Sequence, residues 1–336
     1  MALTDSAAGD AYTHLLASFA ANPYMVGSLI FQYGDGPLTG TGAVSGSALV
    51  IGGDIAWGMV DLTDTPKYDL VNKVRAANIA ALQSLQLLGT VPALTSAPQN
   101  GATYLAGGLV PGSWAQVKGT NLSDVTRIWN SADFANLGNS LPTVLSGVEV
   151  LVNGTAAAVD YVSPTQVNFQ VPARISGTAN VQVIRDGLPS NAVSGIAVSS
   201  APSIFPIILN GTNYAAAIFP DGTLVGDASV SSAFRNAKPG DKISLFATGL
   251  APSPAGTTVG VTPLTGVTIT IGGIAINSDF AGLVAVGEFQ INFTVPQQFA
   301  SMPTANYPIT ILVNNVSSPT SIGSNPPGPI VLPIQQ

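Results

Sequence analysis

The sequence predicts a mainly β protein, two tandem β-sandwiches behind a small α/β segment, on three observations. After about residue 100, short runs rich in Val, Ile and Thr recur between Gly, Pro, Asn and Asp, and strands at such spacing argue for sandwiches. An ordered internal repeat divides that part into two copies of about 100 residues, the size of one immunoglobulin-like sandwich. Before about residue 95 the apolar periodicity is helical instead, with one nearly continuous apolar run of strand length.

In chain order, "DAYTHLLASFAANP" reads as a helix that stops before Pro23, because proline biases the residue before it away from the helical region. The lone histidine, His14, falls on this helix and is read as a surface or packing residue. "YMVGSLIFQY" (24–33) has the pattern of a strand buried on both faces. "GDGPLTGTGAVSGS" reads as a long glycine-rich loop. In "YDLVNKVRAANIAALQSLQLL", Leu70, Val71, Val74, Ala77, Ile79 and Leu82 lie at helical spacing, and Asp69 near the start suits the helix dipole. Residues 91–103, "VPALTSAPQNGAT", read as a Pro/Ala/Ser/Thr linker. The predicted divisions are 1–95, 96–200 and 201–336.

The repeat rests on three matches in the same order. "PGSWAQVKGTNL" (111–122) parallels "PGDKISLFATGL" (239–250), "LSGVEVLVNG" (145–154) parallels "LTGVTITIGG" (264–273), and "VNFQVP" (167–172) parallels "INFTVP" (291–296). Asn153-Gly154 and Gly272-Gly273 are hairpin-turn signals, and Asp186-Gly187 and Asp221-Gly222 read as turns before they read as ligands. The alignment sets Trp114 against Lys242, which places Trp114 on the outward face of its strand and favours packing against a neighbouring domain or loop.

Composition excludes several classes. Charged residues are only 8%, yet no run of about 18 apolar residues is present to span a bilayer. Ten Lys and Arg against seventeen Asp and Glu leave a net charge of −7 and no basic cluster to neutralise phosphates, which speaks against nucleic acid. The absence of Cys removes thiolate nucleophiles and zinc-thiolate sites, and no metal or other cofactor is predicted. A cysteine-free, charge-poor chain rich in Ser, Thr, Asn and Gly suits an exported bacterial protein, extracellular or at the cell surface, although residues 1–10 carry no secretory signal.

The ordered motifs from GTNL through YVSPTQVNFQVP, SIFP, KPGD, ATGL and FAGL to QINFTVP resemble the C-terminal module of many acidobacterial exported proteins, a pair of immunoglobulin-like (IPT/TIG-type) domains, over about residues 101–318. The resemblance implies a spacer, surface-attachment or carbohydrate-contacting role. "NPYMVGSLIFQYGDGPLTG" followed by "WGMVDLTDTPKYDLVNKVRAAN" resembles the last strand, loop and helix of a glycoside hydrolase (β/α)8 (TIM) barrel of the agarase-like retaining group, with the final Pro-Tyr spread over Pro66, Lys67 and Tyr68. Retaining hydrolysis needs two carboxyl groups about 5–5.5 Å apart, which in that family are Glu residues from strands four and seven. Residues 1–95 contain no Glu, and the chain's only two are Glu149 and Glu288. The expectation is therefore the C-terminal part of a secreted polysaccharide-degrading hydrolase, itself lacking the catalytic carboxylates; the alternative is a non-catalytic surface adhesion or carbohydrate-binding protein. Either way the expected partner is a polysaccharide or cell-surface glycan.

On that resemblance, the candidate sugar-contacting residues at the barrel's C-terminal face are Phe31, Gln32, Tyr33 and Asp35, with Trp57 and Asp61 from the following stretch. Trp129, beside the Asn130-Ser131 loop, is an exposed aromatic candidate in the first sandwich. Asp54, Asp61 and Asp64 lie within eleven residues, but their spacing is not that of an EF-hand loop and turn-forming roles are favoured.

Overall fold

A computed structural model describes residues 4–20, 43–45, 48–50, 67–84, 91–135 and 137–336. The chain is mainly β and divides into two compact units, 1–90 and 91–336.

The first unit contains two packed helices, α1 (Asp5–Ala20) and α2 (Tyr68–Ser84). Leu16 of α1 and Leu70, Val74 and Ala77 of α2 are buried, so part of the predicted apolar stripe is the contact face. Val71 and Ile79 are only half-buried and His14 is exposed. Lys73 ties the pair together, donating to the Ser6 hydroxyl at 2.8 Å and to Asp10 at 2.6 Å. The helices approach closely at Gly9, where a Cβ would stand 2.7 Å from that of Lys73. Helix α1 begins earlier than the sequence pattern indicates, with Asp5 in its first turn, where a carboxylate faces the free amides. The glycine-rich stretch is not all loop: Ala43–Ser45 pairs antiparallel with Ala48–Val50. The predicted strand 24–33 lies outside the described residues.

The second unit holds two sandwiches of the same build. In the first, one sheet contains β1 (Trp114–Thr120), β4 (Val159–Val162) and β5 (Gln166–Gln170). The other contains β2 (Val148–Val152), β3 (Thr155–Ala157), β6 (Thr178–Arg185) and β7 (Val193–Ala197). In the second sandwich, β8 (Lys242–Thr248), β11 (Phe280–Ala285) and β12 (Glu288–Thr294) share one sheet. The opposite sheet has β9 (Val267–Ile271), β10 (Ile274–Asn277), β13 (Ala305–Val313) and β14 (Ile330–Ile334). The repeat is thus a repeat of topology: β1 pairs with β5 as β8 pairs with β12, and β2 with β6 as β9 with β13.

Alternation builds each core. Strands β2 and β9 bury every second residue, as a sheet with one covered face requires. The first core centres on Val117, Val150, Phe169 and Val181, the second on Leu245, Ile269, Phe293 and Ile311, all essentially inaccessible. Both copies carry a Gln-to-Asn side-chain bond along one strand, Gln166 to Asn168 at 2.8 Å and Gln290 to Asn292 at 2.7 Å. The hairpin signals hold: Asn153 (φ 49°) and Gly154 (φ 79°) join β2 to β3, and Gly272 (φ 55°) and Gly273 (φ 87°) join β9 to β10. Positive φ at both turn positions matches the strands' twist.

The predicted linker needs correction. Ala93–Leu94 and Gln99–Asn100 both pair with β1, and the Leu94 amide donates to the Asn191 side chain at 2.8 Å. Packed against a sheet edge, these backbone groups require partners, and the ladder supplies them.

Candidate functional site: an aromatic and acidic cleft between two sandwiches

Between the two sandwiches lies a cleft of about 420 Å³, lined by Trp114, Trp129, Asp160, Asn168 and Glu288 together with Gly101, Phe205, Ala285 and Val286. That volume lies within the range of about 300–1,000 Å³ usual for small-ligand sites.

Trp114 opens β1 and its outward ring meets the second sandwich, as its alignment with Lys242 predicts. Its indole N–H donates to the Val286 carbonyl at 2.8 Å, and its backbone N–H donates to the Thr248 hydroxyl at 3.2 Å. Thr248 in turn donates to the Gly287 carbonyl at 2.7 Å. The turn between β11 and β12 can press this close because residue 287 is glycine. At φ 65°, a Cβ there would stand 2.6 Å from the Gly112 carbonyl and 3.0 Å from the Trp114 ring. Gln170 fastens the other side, donating to the Gly112 carbonyl at 2.9 Å and accepting from the Gly256 amide at 2.8 Å. Further bonds run from Ser253 to Pro111 (3.0 Å) and from Gly323 to Thr103 (2.7 Å).

Trp129 is half-buried. Its ring lies edge-on to Trp114 at 5.7 Å and to Phe134 at 5.1 Å, separations at which aromatic quadrupoles attract. Phe134 ends a short 3-10 turn, Ser131–Phe134. Asn130 caps this turn, accepting from Ala132 at 2.9 Å while Asp133 accepts from the Asn130 amide at 2.7 Å. Arg127 grips Asp133 with two bonds, 2.8 and 2.7 Å. That guanidinium, with help from the Asn130 amide, holds the Asp133 carboxyl down at about 2. Arg127→Ala is expected to loosen the turn and raise acrylamide quenching of Trp129 fluorescence; unchanged quenching would show that Phe134 alone seats the ring.

Asp160 owes its place to a β-bulge. Val159 faces Phe169 and Tyr161 faces Asn168, so Asp160 is an extra residue with no register partner on β5, while on its other side its carbonyl accepts from the Trp129 amide at 2.8 Å; bulges of this kind re-aim a side chain. Its Oδ1 is buried without a hydrogen-bond partner. Burial pushes its carboxyl up to about 6, against the pull of the Asp160 and Tyr161 amides. Glu288, at the start of β12, is also pushed up by burial. Neither carboxylate has an ion pair among the described residues. Asn168 accepts from Gln166 through its oxygen, and its side-chain nitrogen donates no hydrogen bond among the described residues.

Of the sequence-predicted site residues, Trp129 lies in this cleft. Phe31, Gln32, Tyr33, Asp35, Trp57 and Asp61 lie outside the described residues. Sequence reasoning did not single out Asp160, Asn168 or Glu288. The available signal was the charge inside the apolar run "AVDYV", since Asp is seldom buried without a partner. Among the described residues no three His, Cys, Asp or Glu side chains gather to hold a metal. A second cleft of about 290 Å³, lined by residues 155–158, Gln170, Pro172 and Arg174, has no aromatic wall.

Comparison with known proteins agrees with the immunoglobulin-like build. Residues 117–200 match the IPT/TIG domain family model. No curated protein matches the chain. Among solved structures, the chain is similar to the extracellular region of plexin A4 (12% identity over 73% of this chain and 18% of that one, TM-score 0.24). It is similar to a Bacteroides ovatus surface glycan-binding protein from a mixed-linkage glucan utilization locus, in complex with a mixed-linkage heptasaccharide (13% identity, 70% and 46% coverage, TM-score 0.29). It is also similar to a Prevotella bryantii surface glycan-binding protein (15% identity, 69% and 41% coverage, TM-score 0.21). The chain spans less than half the length of each. Among the described residues no helix is long and apolar enough to cross a membrane.

Proposed function

We propose that this chain is the glycan-holding accessory part of an extracellular or cell-surface protein, with the junction cleft as its binding site. The observation that carries the reading is the cleft's composition: two tryptophans and a few polar groups, Asp160, Asn168 and Glu288, converging in one concave space. Sugars present apolar C–H faces and a rim of hydroxyls. Aromatic faces suit the former, and carboxylates and amides accept from and donate to the latter. The hydrogen bonds that fix Trp114 keep the cleft preformed, which limits the ordering cost of binding. The agarase-like parentage belongs to the same proposal and rests on the motif strings of residues 22–78. In this reading the chain holds polysaccharide while catalytic carboxylates lie elsewhere.

The test is calorimetry and pull-down with agaro-, xylo-, cello-, mixed-linkage gluco- and chito-oligosaccharides and their insoluble polymers. At least one is expected to bind. Trp129→Ala is expected to weaken that binding roughly tenfold, about 1.4 kcal/mol, with Trp129→Phe losing less. No new reducing ends are expected after incubation. Binding to none of these glycans, or binding indifferent to Trp129, overturns the proposal.

A further inference from the structure

Resting on that glycan-binding reading, we infer that the cleft selects sugars bearing a free amine, such as glucosamine units of a deacetylated chitin-type glycan. The argument is electrostatic. Two carboxylates line one cleft whose other lining residues include no Lys, Arg or His, in a chain of net charge −7. Uronate or sulfate groups would meet like charge in a poorly solvated space. A neutral sugar would strip more water from Asp160 and Glu288 and return no charge, which is costly for an unpaired buried ion. An ammonium supplies the missing counter-charge, and the Trp114 and Trp129 rings offer a second attraction through their electron-rich faces. The Asp160 carboxyl is held by the Asp160 and Tyr161 amides, but among the described residues no cationic side chain pairs with it or with Glu288. A divalent cation fits less well, since it needs several oxygens at about 2.3–2.6 Å and no third acidic side chain joins these two among the described residues.

The experiment compares short chitosan oligomers with fully N-acetylated oligomers of the same length, titrated into the full chain and into the Asp160→Asn/Glu288→Gln double variant. The wild-type chain is expected to bind the amine form at least tenfold more tightly, and the double variant to reduce that preference to within twofold. Because the variant keeps most of the chain's negative charge, a preference that survives in it would reflect diffuse attraction and overturn the inference. Equal affinity for both forms overturns it too, while leaving the glycan-binding reading intact. If neither oligomer binds but a neutral glycan does, this inference alone falls; if no glycan binds, both fall.

Discussion

Gly287→Ala is expected to destabilise the second unit by about 2–4 kcal/mol, from left-handed backbone strain of about 1–2 kcal/mol and the loss of hydrogen bonds around Trp114. The backbone sits at φ 65°, and the new Cβ would meet the Gly112 carbonyl and the Trp114 ring. Backbone cannot yield as a flexible side chain does, so the turn must lift away. Lifting it breaks the indole bond to Val286 and the Thr248 bond to Gly287. Gly154→Ala is the matched control: its φ is 79°, but nothing lies within 4 Å of the added Cβ, so it carries only the strain. Urea unfolding of both variants, followed by tryptophan fluorescence, separates the two contributions. If they lose the same stability, the Gly112–Gly287–Trp114 contact does not hold the sandwiches together.

The second large effect concerns Asp160→Asn and depends on pH. The folded carboxyl stands at about 6, above the value near 3.9 expected in the unfolded chain. Below about pH 4 it is protonated in both states and costs nothing. Between about pH 4 and 6 the unfolded chain releases its proton first, so stability falls as pH rises. Above about pH 6 the wild-type fold carries the full cost, on the order of 2–3 kcal/mol. The amide that Asp160→Asn introduces never ionises. The variant is therefore expected to be more stable than wild type by about that amount at pH 7.5, with the difference vanishing near pH 3.5. Glu288 is shifted in the same direction, so Glu288→Gln should show the same sign. Urea midpoints at the two pH values decide it; a difference independent of pH would mean that the Asp160 carboxylate is well solvated.

Much of the fold is legible in the sequence because sandwiches advertise themselves locally. The turn pairs Asn153-Gly154 and Gly272-Gly273 need positive φ, and the flanking "VEVLV" and "VTITI" show their covered faces residue by residue. The repeat then carries strand pairing from one copy to the other. The candidate site is less legible because it depends on where two copies meet. The alignment of Trp114 with Lys242 exposes an outward tryptophan, yet nothing local says that the turn at Val286 and Gly287 covers it. Asp160 enters the cleft through a bulge, and a one-residue insertion is invisible to an alternation pattern that simply changes phase. Glu288 reads as an ordinary strand-edge residue until β1 is laid beside it. Residues 93–94 and 99–100 read as linker by composition and become strands only because β1 offers an open edge.

Strand β14 has a consequence for synthesis. Residues 330–334 lie inside their sheet, between Thr212–Ala215 and β13, and all five are buried. The strands of the first sandwich all fall within residues 93–197, so it can consolidate while the ribosome is still translating. The second must wait with its sheet open until its central strand emerges. During that interval the unpaired flanks of Thr212–Ala215 and β13 are the places where a nascent chain needs protection from its neighbours.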